Sequence, residues 1–199
     1  HQEGAVSFNR VEIYSIDEYY PAPAYSHSRN RRLFEELIDK VDIKPEAVHI
    51  PRIDELKDSS YVSDFCTKYD QIASNLDLLI MGVGEKGQIG FNEHGASELS
   101  RTRTVLLSYP SRKRQAKNFA GKVEMTPNSA IAMGISTMLS AKKIYLLAWG
   151  EDKAQVVKDI VEGEMSSSCP ASLLQKHSNI SFYVDDNSAS LLTRNVAPW

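Results

Sequence analysis

The sequence predicts an α/β fold, a three-layer α/β/α sandwich around a mostly parallel, Rossmann-like sheet. Short apolar runs alternate with segments of helical period, the pattern of strands joined by helices. Two of those runs, 76–83 and 144–149, are apolar almost throughout and are followed by glycine, as strands covered on both faces are. The 199 residues are 42% hydrophobic and 25% charged, enough for one ordinary core, and the chain reads as a single domain over 1–199.

The elements follow in order. Residues 11–16 read as a strand, closed by the acidic pair Asp17-Glu18, and Pro21 and Pro23 then force an irregular loop. From 28 to 41 the apolar residues Leu33, Phe34, Leu37, Ile38 and Val41 share one helix face. Residues 48–50 make a short strand. Over 60–73, Tyr61, Phe65, Tyr69 and Ile72 line one side of a helix. After the strand at 76–83, Thr126-Pro127 has the form of a helix start, a capping hydroxyl followed by proline, with the helix expected to reach Leu139. A strand at 144–149, a helix at 152–162, a short helix at 171–177 and a strand at 180–184 complete the order.

Composition excludes several functions. The formal net charge is −3 and the basic residues are scattered, apart from Arg112-Lys113-Arg114, so no nucleic-acid stripe is present. No apolar run reaches the roughly 18 residues of a membrane span. The two cysteines, Cys66 and Cys169, lie far apart and in no metal-ligand spacing, which points to a reducing cytoplasm and to no metal. Residues 1–7 carry no apolar signal region.

In open α/β sheets ligands bind beyond the carboxyl ends of the strands. Asp17-Glu18, the glycine loop after Val83 and the segment Gly150-Glu151-Asp152-Lys153 are expected there, meeting at one edge. The loop Gly82-Val83-Gly84-Glu85-Lys86-Gly87-Gln88-Ile89-Gly90-Phe91-Asn92-Glu93 is the richest segment. Glycines such as Gly84 allow close backbone approach to a ligand, and amides in such a turn can hold an oxyanion. A plain tight turn accounts for the spacing equally well. It is neither a dinucleotide fingerprint nor a P-loop.

The string GVGEKGQIGFNE resembles the signature loop of the glucosamine-6-phosphate deaminase (isomerase) family, G-x-G-x-D-G-H-x-x-F-N-E-P. The Phe-Asn-Glu ending separates it from the related 6-phosphogluconolactonases. Ile16-Asp17-Glu18-Tyr19-Tyr20-Pro21, Ser100-Arg101-Thr102-Arg103, Met133-Gly134-Ile135-Ser136-Thr137 and Gly150-Glu151-Asp152-Lys153-Ala154 are similar to further family segments in the same order. The resemblance thus runs along nearly the whole chain. It implies that the chain begins after a first strand, a phosphate-wrapping loop and a helix, about 50 residues of an ordinary α/β domain. The ending, Leu192 to Trp199, resembles a junction in longer bacterial homologues that continue into a deacetylase-like domain.

The resemblance implies conversion of glucosamine-6-phosphate to fructose-6-phosphate and ammonia, without metal or organic cofactor. Asp17 is then the base that carries the C2 proton, Glu93 assists ring opening, and Lys153 grips the phosphate beside a helix N-terminus. Glu18 supports the loop. Lys117 falls near a family arginine that also holds phosphate, and residues 107–120 belong to a mobile lid. Two family catalytic positions are replaced. Lys86 stands for an aspartate and Gln88 for a histidine, and glutamine cannot take up and release a proton near neutral pH. His94 replaces the following proline and is a candidate substitute proton carrier; a solvated loop histidine is its ordinary alternative. A second reading therefore stands beside the enzyme, a catalytically impaired sugar-phosphate-binding or regulatory module. Lactone hydrolysis is a weaker third, because its histidine is missing. The family also implies a homo-oligomer.

Overall fold

Among residues 6–193, those described by the computed structural model, eight strands and five α-helices alternate along the chain. They are β1 (Ile13–Tyr14), β2 (Asp17–Tyr19), α1 (Arg31–Glu36), β3 (Val48–His49), α2 (Ser59–Ile72), β4 (Leu79–Gly82), β5 (Arg103–Leu106), α3 (Tyr109–Gln115), β6 (Ser129–Ala132), α4 (Ile135–Leu139), β7 (Ile144–Ala148), α5 (Ala154–Val161) and β8 (Ile180–Val184). The class is α/β, as the alternation predicts. The junction segment falls largely outside the described residues, from 194 onward.

Several elements differ from the sequence expectation; the helix expected over 28–41 is the six-residue α1 followed by a 3-10 turn, and β5 is a strand that the sequence does not announce. Asp17 and Glu18 do not close the first strand as a loop; after β1 and the residues Ser15-Ile16 they open a second strand, β2, and are buried within it. The helix expected from Thr126 is replaced at its start by β6. Ala130, Ile131 and Ala132 are wholly buried, or within 1% of it, and β6 lies between β2 and β5. A short apolar run enclosed on both faces carries no period that separates strand from helix, and only the last turn, α4, is helical. The stretch 107–120 holds the short helix α3, capped by Ser108, whose hydroxyl accepts from the Ser111 amide, with Pro110 in the first turn.

The chain divides into two compact units, one running up to Tyr69 and including Thr104–Ala132, the other comprising Asp70–Arg103 and the chain from Met133 onward. In the first unit, β2 runs antiparallel to β6, pairing Asp17 with Ala132 and Tyr19 with Ala130, and β1 runs parallel to β3. Tyr69 ties these strands down, its hydroxyl donating to the Ser15 carbonyl at 2.7 Å and the His49 carbonyl at 3.1 Å. Tyr20, Ile53, Val62, Cys66 and Ile131 form a buried cluster under α2.

In the second unit, β7 lies between β4 and β8 and pairs parallel with both. Along β7 buried positions alternate with partly exposed ones, and Ile144, Leu146 and Ala148 face the core. From α5, Val156, Val157 and Ile160 are buried, one stripe of an amphipathic helix.

Candidate active site

In the first unit the acidic pair splits into two roles. Glu18 is wholly buried, and its carboxylate accepts from the Tyr19 amide at 2.8 Å, the Arg29 amide at 3.0 Å, Asn30 Nδ2 at 3.1 Å and the Ser28 hydroxyl. A carboxylate saturated by local donors holds the 28–30 turn against β2, which agrees with the supporting role read from the sequence. Asp17 is just as enclosed, its side chain 4% exposed, yet has fewer donors. Arg29 Nε reaches Oδ1 at 3.2 Å, while Oδ2 is buried with no hydrogen-bond partner. Lys117 is exposed, in the 3-10 turn that follows α3.

In the second unit the glycine loop leaves the end of β4, and Gly150-Lys153 leaves the end of β7. The two strands are parallel neighbours, with Gly82 paired to Leu147, so both loops emerge from one edge of that sheet. This is the edge at which open α/β sheets bind ligands. From β8, Asp185 joins them, its carboxylate accepting from the Gly150 amide at 3.1 and 3.2 Å. Lys153 caps the start of α5; its side chain is 20% exposed and its Nζ stands 3.3 Å from Asp152 Oδ2.

The glycine loop is closed on itself. The Gly84 amide donates to the Gln88 carbonyl at 2.9 Å, the Gly87 amide to the Gly84 carbonyl at 2.9 Å, and the Lys86 amide to Gln88 Oε1 at 3.0 Å. These three amides are engaged inside the loop rather than turned to an oxyanion. A Cβ on Gly84 would collide with the Gln88 side chain, which therefore packs into the turn. Gly87 has φ +73°, and a Cβ there would strike Cys169 Sγ, so only glycine fits. Lys86 and His94 are both exposed.

The loop then makes a tight turn, with Ile89 and Asn92 exchanging backbone hydrogen bonds. Asn92 is wholly buried, and its Nδ2 donates to the Ile89 carbonyl at 3.1 Å and the Met133 carbonyl at 2.8 Å. Its Oδ1 has no partner, and neither has the buried Oε1 of Glu93. Among the described residues, the buried side-chain polar atoms left without a hydrogen bond are Asp17 Oδ2, Asn92 Oδ1 and Glu93 Oε1. All three are acceptors. Leaving a buried polar group unpaired costs about 1–3 kcal/mol, so such groups mark places where something other than stability is served. Two of the three are the carboxylates singled out from the sequence. Asn92 and Arg29 were not; Asn92 lay inside the quoted motif without a role, and the partner of Arg29 is twelve residues away in the chain.

A cavity lined by Lys158, Asp159, Glu162, Gly163 and Thr193 lies beside the C-terminal half of α5 and holds none of these residues. No group of His, Cys, Asp and Glu among the described residues is arranged to hold a metal.

Residues 1–182 match the family model described as glucosamine-6-phosphate isomerases/6-phosphogluconolactonase. A glucosamine-6-phosphate deaminase-like protein of Bacteroides thetaiotaomicron is 41% identical across the whole of this chain, which spans 30% of that protein's length. Glucosamine-6-phosphate deaminase 2 of Bacillus subtilis is 34% identical over 96% of this chain and 78% of its own. A solved monomeric glucosamine-6-phosphate deaminase superposes with a TM-score of 0.87 at 32% identity, covering 96% of this chain and 79% of that one. The 6-phosphogluconolactonase of Trypanosoma cruzi, 18% identical with a TM-score of 0.71 over 98% of this chain and 78% of that one, shares the fold.

Proposed function

We propose, from the premise that this chain belongs to the glucosamine-6-phosphate isomerase/6-phosphogluconolactonase family, that it takes glucosamine-6-phosphate and water to fructose-6-phosphate and ammonia. The observation that carries the reading is the buried, unpartnered oxygen of the candidate base in the first unit, Asp17 Oδ2; within the second unit Asn92 Oδ1 and Glu93 Oε1 are likewise buried without a partner. Acceptors without donors suit a ligand rich in hydroxyl and amino hydrogens, and a phosphorylated amino sugar is one.

In the open-chain aldehyde, Asp17 takes the C2 proton. The C–H electron pair becomes the C1–C2 double bond, and the C1 oxygen takes up a proton. Delivery to C1 of the proton on Asp17, after its exchange with solvent, leaves an imine at C2; water adds there and ammonia departs. Glu93 assists ring opening, and Lys153 and Lys117 hold the phosphate; Gly84, expected beside the sugar, is instead covered by Gln88. No cofactor enters these steps. The phosphorylated substrate implies a cytoplasmic setting, and no described helix is long and apolar enough to cross a membrane. Sedimentation decides assembly: the resemblance implies a homo-oligomer, while the solved deaminase it matches is described as monomeric.

One observation favours the second reading, a binding module. Gln88 stands where the family has histidine, and its carboxamide is folded into the loop on the Lys86 amide rather than carrying a proton. General acid–base help is worth about 10²- to 10⁴-fold in rate, so its loss slows ring opening severely unless His94 substitutes. Ammonia release from glucosamine-6-phosphate, measured beside a binding titration, separates the two. Turnover abolished by Asp17→Asn is the expected result; tight binding without turnover assigns the module, and neither binding nor turnover removes both readings.

A further inference from the structure

We propose that Arg29 is a positioning residue for the isomerising base, holding Asp17 so that Oδ2 is the oxygen that takes the proton. The inference rests on the reading of Asp17 given above and adds a residue to it.

The backbone of Asp17 is fixed by β2, by Asn30 Nδ2 donating to its carbonyl at 3.0 Å and by the Ser15 hydroxyl donating there at 3.1 Å. Its carboxylate is not fixed in this way. The terminal torsion of an aspartate is broad and two-fold, so the plane of the oxygens needs an external contact. Arg29 supplies it, through Nε at 3.2 Å from Oδ1. The other oxygen is left buried and unpartnered. A base needs this arrangement, one oxygen held and the other presenting its lone pairs to carbon acid.

Arg29 is itself aimed by the fold. Its amide donates to Glu18 Oε1 at 3.0 Å, and its neighbours Ser28 and Asn30 bind Glu18 Oε2. Three consecutive residues thus grip one wholly buried carboxylate, and the middle one projects its guanidinium at the adjacent aspartate. Gln115 steadies the far side, its Oε1 accepting from Arg29 Nη1 at 3.5 Å and from the Tyr19 hydroxyl at 3.4 Å. Burial pushes that hydroxyl up to about 12, so it remains a donor. The charge of Asp17 in turn raises the guanidinium above its usual value, and the cation persists at every working pH. Glu18 explains why the fold places an arginine beside Asp17 rather than beside the acid that already has four donors.

The test uses the natural chain, Arg29→Met, Arg29→Lys, Arg29→Ala and Asp17→Asn, each assayed for ammonia release and thermal unfolding. Misplacing a reacting group by about 1 Å costs on the order of a hundredfold, so Arg29→Met is expected to lower kcat about ten- to a hundredfold with KM little changed. Arg29→Lys keeps the charge without the planar fork and falls between. Guanidinium ion added to Arg29→Ala restores part of kcat. Unchanged kcat in Arg29→Met overturns the inference. So does a loss confined to KM, which would make Arg29 a substrate anchor, or a loss without guanidinium rescue that tracks a lowered unfolding temperature. Activity retained in Asp17→Asn, or no turnover by the natural chain, removes the reading of the base and this inference with it; inactive Asp17→Asn beside unchanged Arg29→Met removes this inference alone.

Discussion

Asp70 in the second unit and Asp17 in the first are both nearly buried aspartates ion-paired to an arginine, at 2.9 Å for Arg101 and 3.2 Å for Arg29. Their remaining surroundings differ. Asp70 Oδ1 accepts from the Thr102 amide at 2.8 Å, the Thr102 hydroxyl at 2.9 Å and the Thr137 hydroxyl, and Oδ2 takes the arginine. Burial works to raise its pKa, but those hydrogen bonds and the charge of Arg101 outweigh it, and the carboxyl is held below its usual range. Asp17 has one donor on one oxygen and none on the other. A saturated carboxylate ties loops together; a half-satisfied one keeps an acceptor for something that arrives later. The same contrast separates the adjacent residues Glu18, whose carboxylate has four donors, and Asp17.

The largest effect expected from this contrast is at Asp17. Asp17→Asn lowers kcat by about 10²- to 10⁴-fold, while calorimetry finds the unfolding temperature nearly unchanged. A large fall in stability would make Asp17 a second Asp70. Glu93→Gln is expected to follow, at about a hundredfold in kcat, the low end of acid–base help, for a proton-handling group whose geometry survives. Turnover unaffected by it would leave the orphaned Glu93 Oε1 without a catalytic reason.

Asp70→Asn should do the reverse. It lowers unfolding stability at neutral pH by about 1–3 kcal/mol, the cost of donors left facing a weaker partner, and leaves kcat of the folded fraction unchanged. Because the folded carboxyl lies below its unfolded value, its contribution is present above the unfolded pKa of about 3.9 and is lost as pH falls through the folded one. Denaturant titrations should therefore show natural chain and variant converging below pH ~4. A gap that widens in acid would contradict the assignment. The smallest effect is at Lys153, whose ion pair with Asp152 is a 3.3 Å contact. Lys153→Ala is expected to raise KM by about tenfold, the worth of one charged hydrogen bond to phosphate, with kcat little altered.

Much of the second unit was legible in the sequence. β8 matches its expected span, 180–184, and β7 differs from its own by one residue, because each is a mostly apolar run. The first unit was harder. β2 is three residues long, too short for any period, and β6 sits behind a threonine and proline that imitate a helix cap. β5 presents alternating half-exposed positions with an arginine at its start, and no apolar run announces it. For the site, the resemblance pointed to Asp17 and Glu93, while the role of Arg29 depends on a contact that no spacing encodes. The glycine spacing offers the loop's amides to an anion, but those of Gly84, Lys86 and Gly87 are engaged within the loop, the Lys86 amide by the Gln88 side chain itself.

The central claim is that the unpartnered oxygen of Asp17 exists to move a proton on carbon. Incubating the natural chain with glucosamine-6-phosphate in deuterium oxide, and reading deuterium on C1 of the fructose-6-phosphate formed and on C2 of the recovered substrate, tests it without reference to ammonia. The account predicts deuterium at these carbons with the natural chain and none with folded Asp17→Asn. Equal incorporation by the two proteins would contradict it.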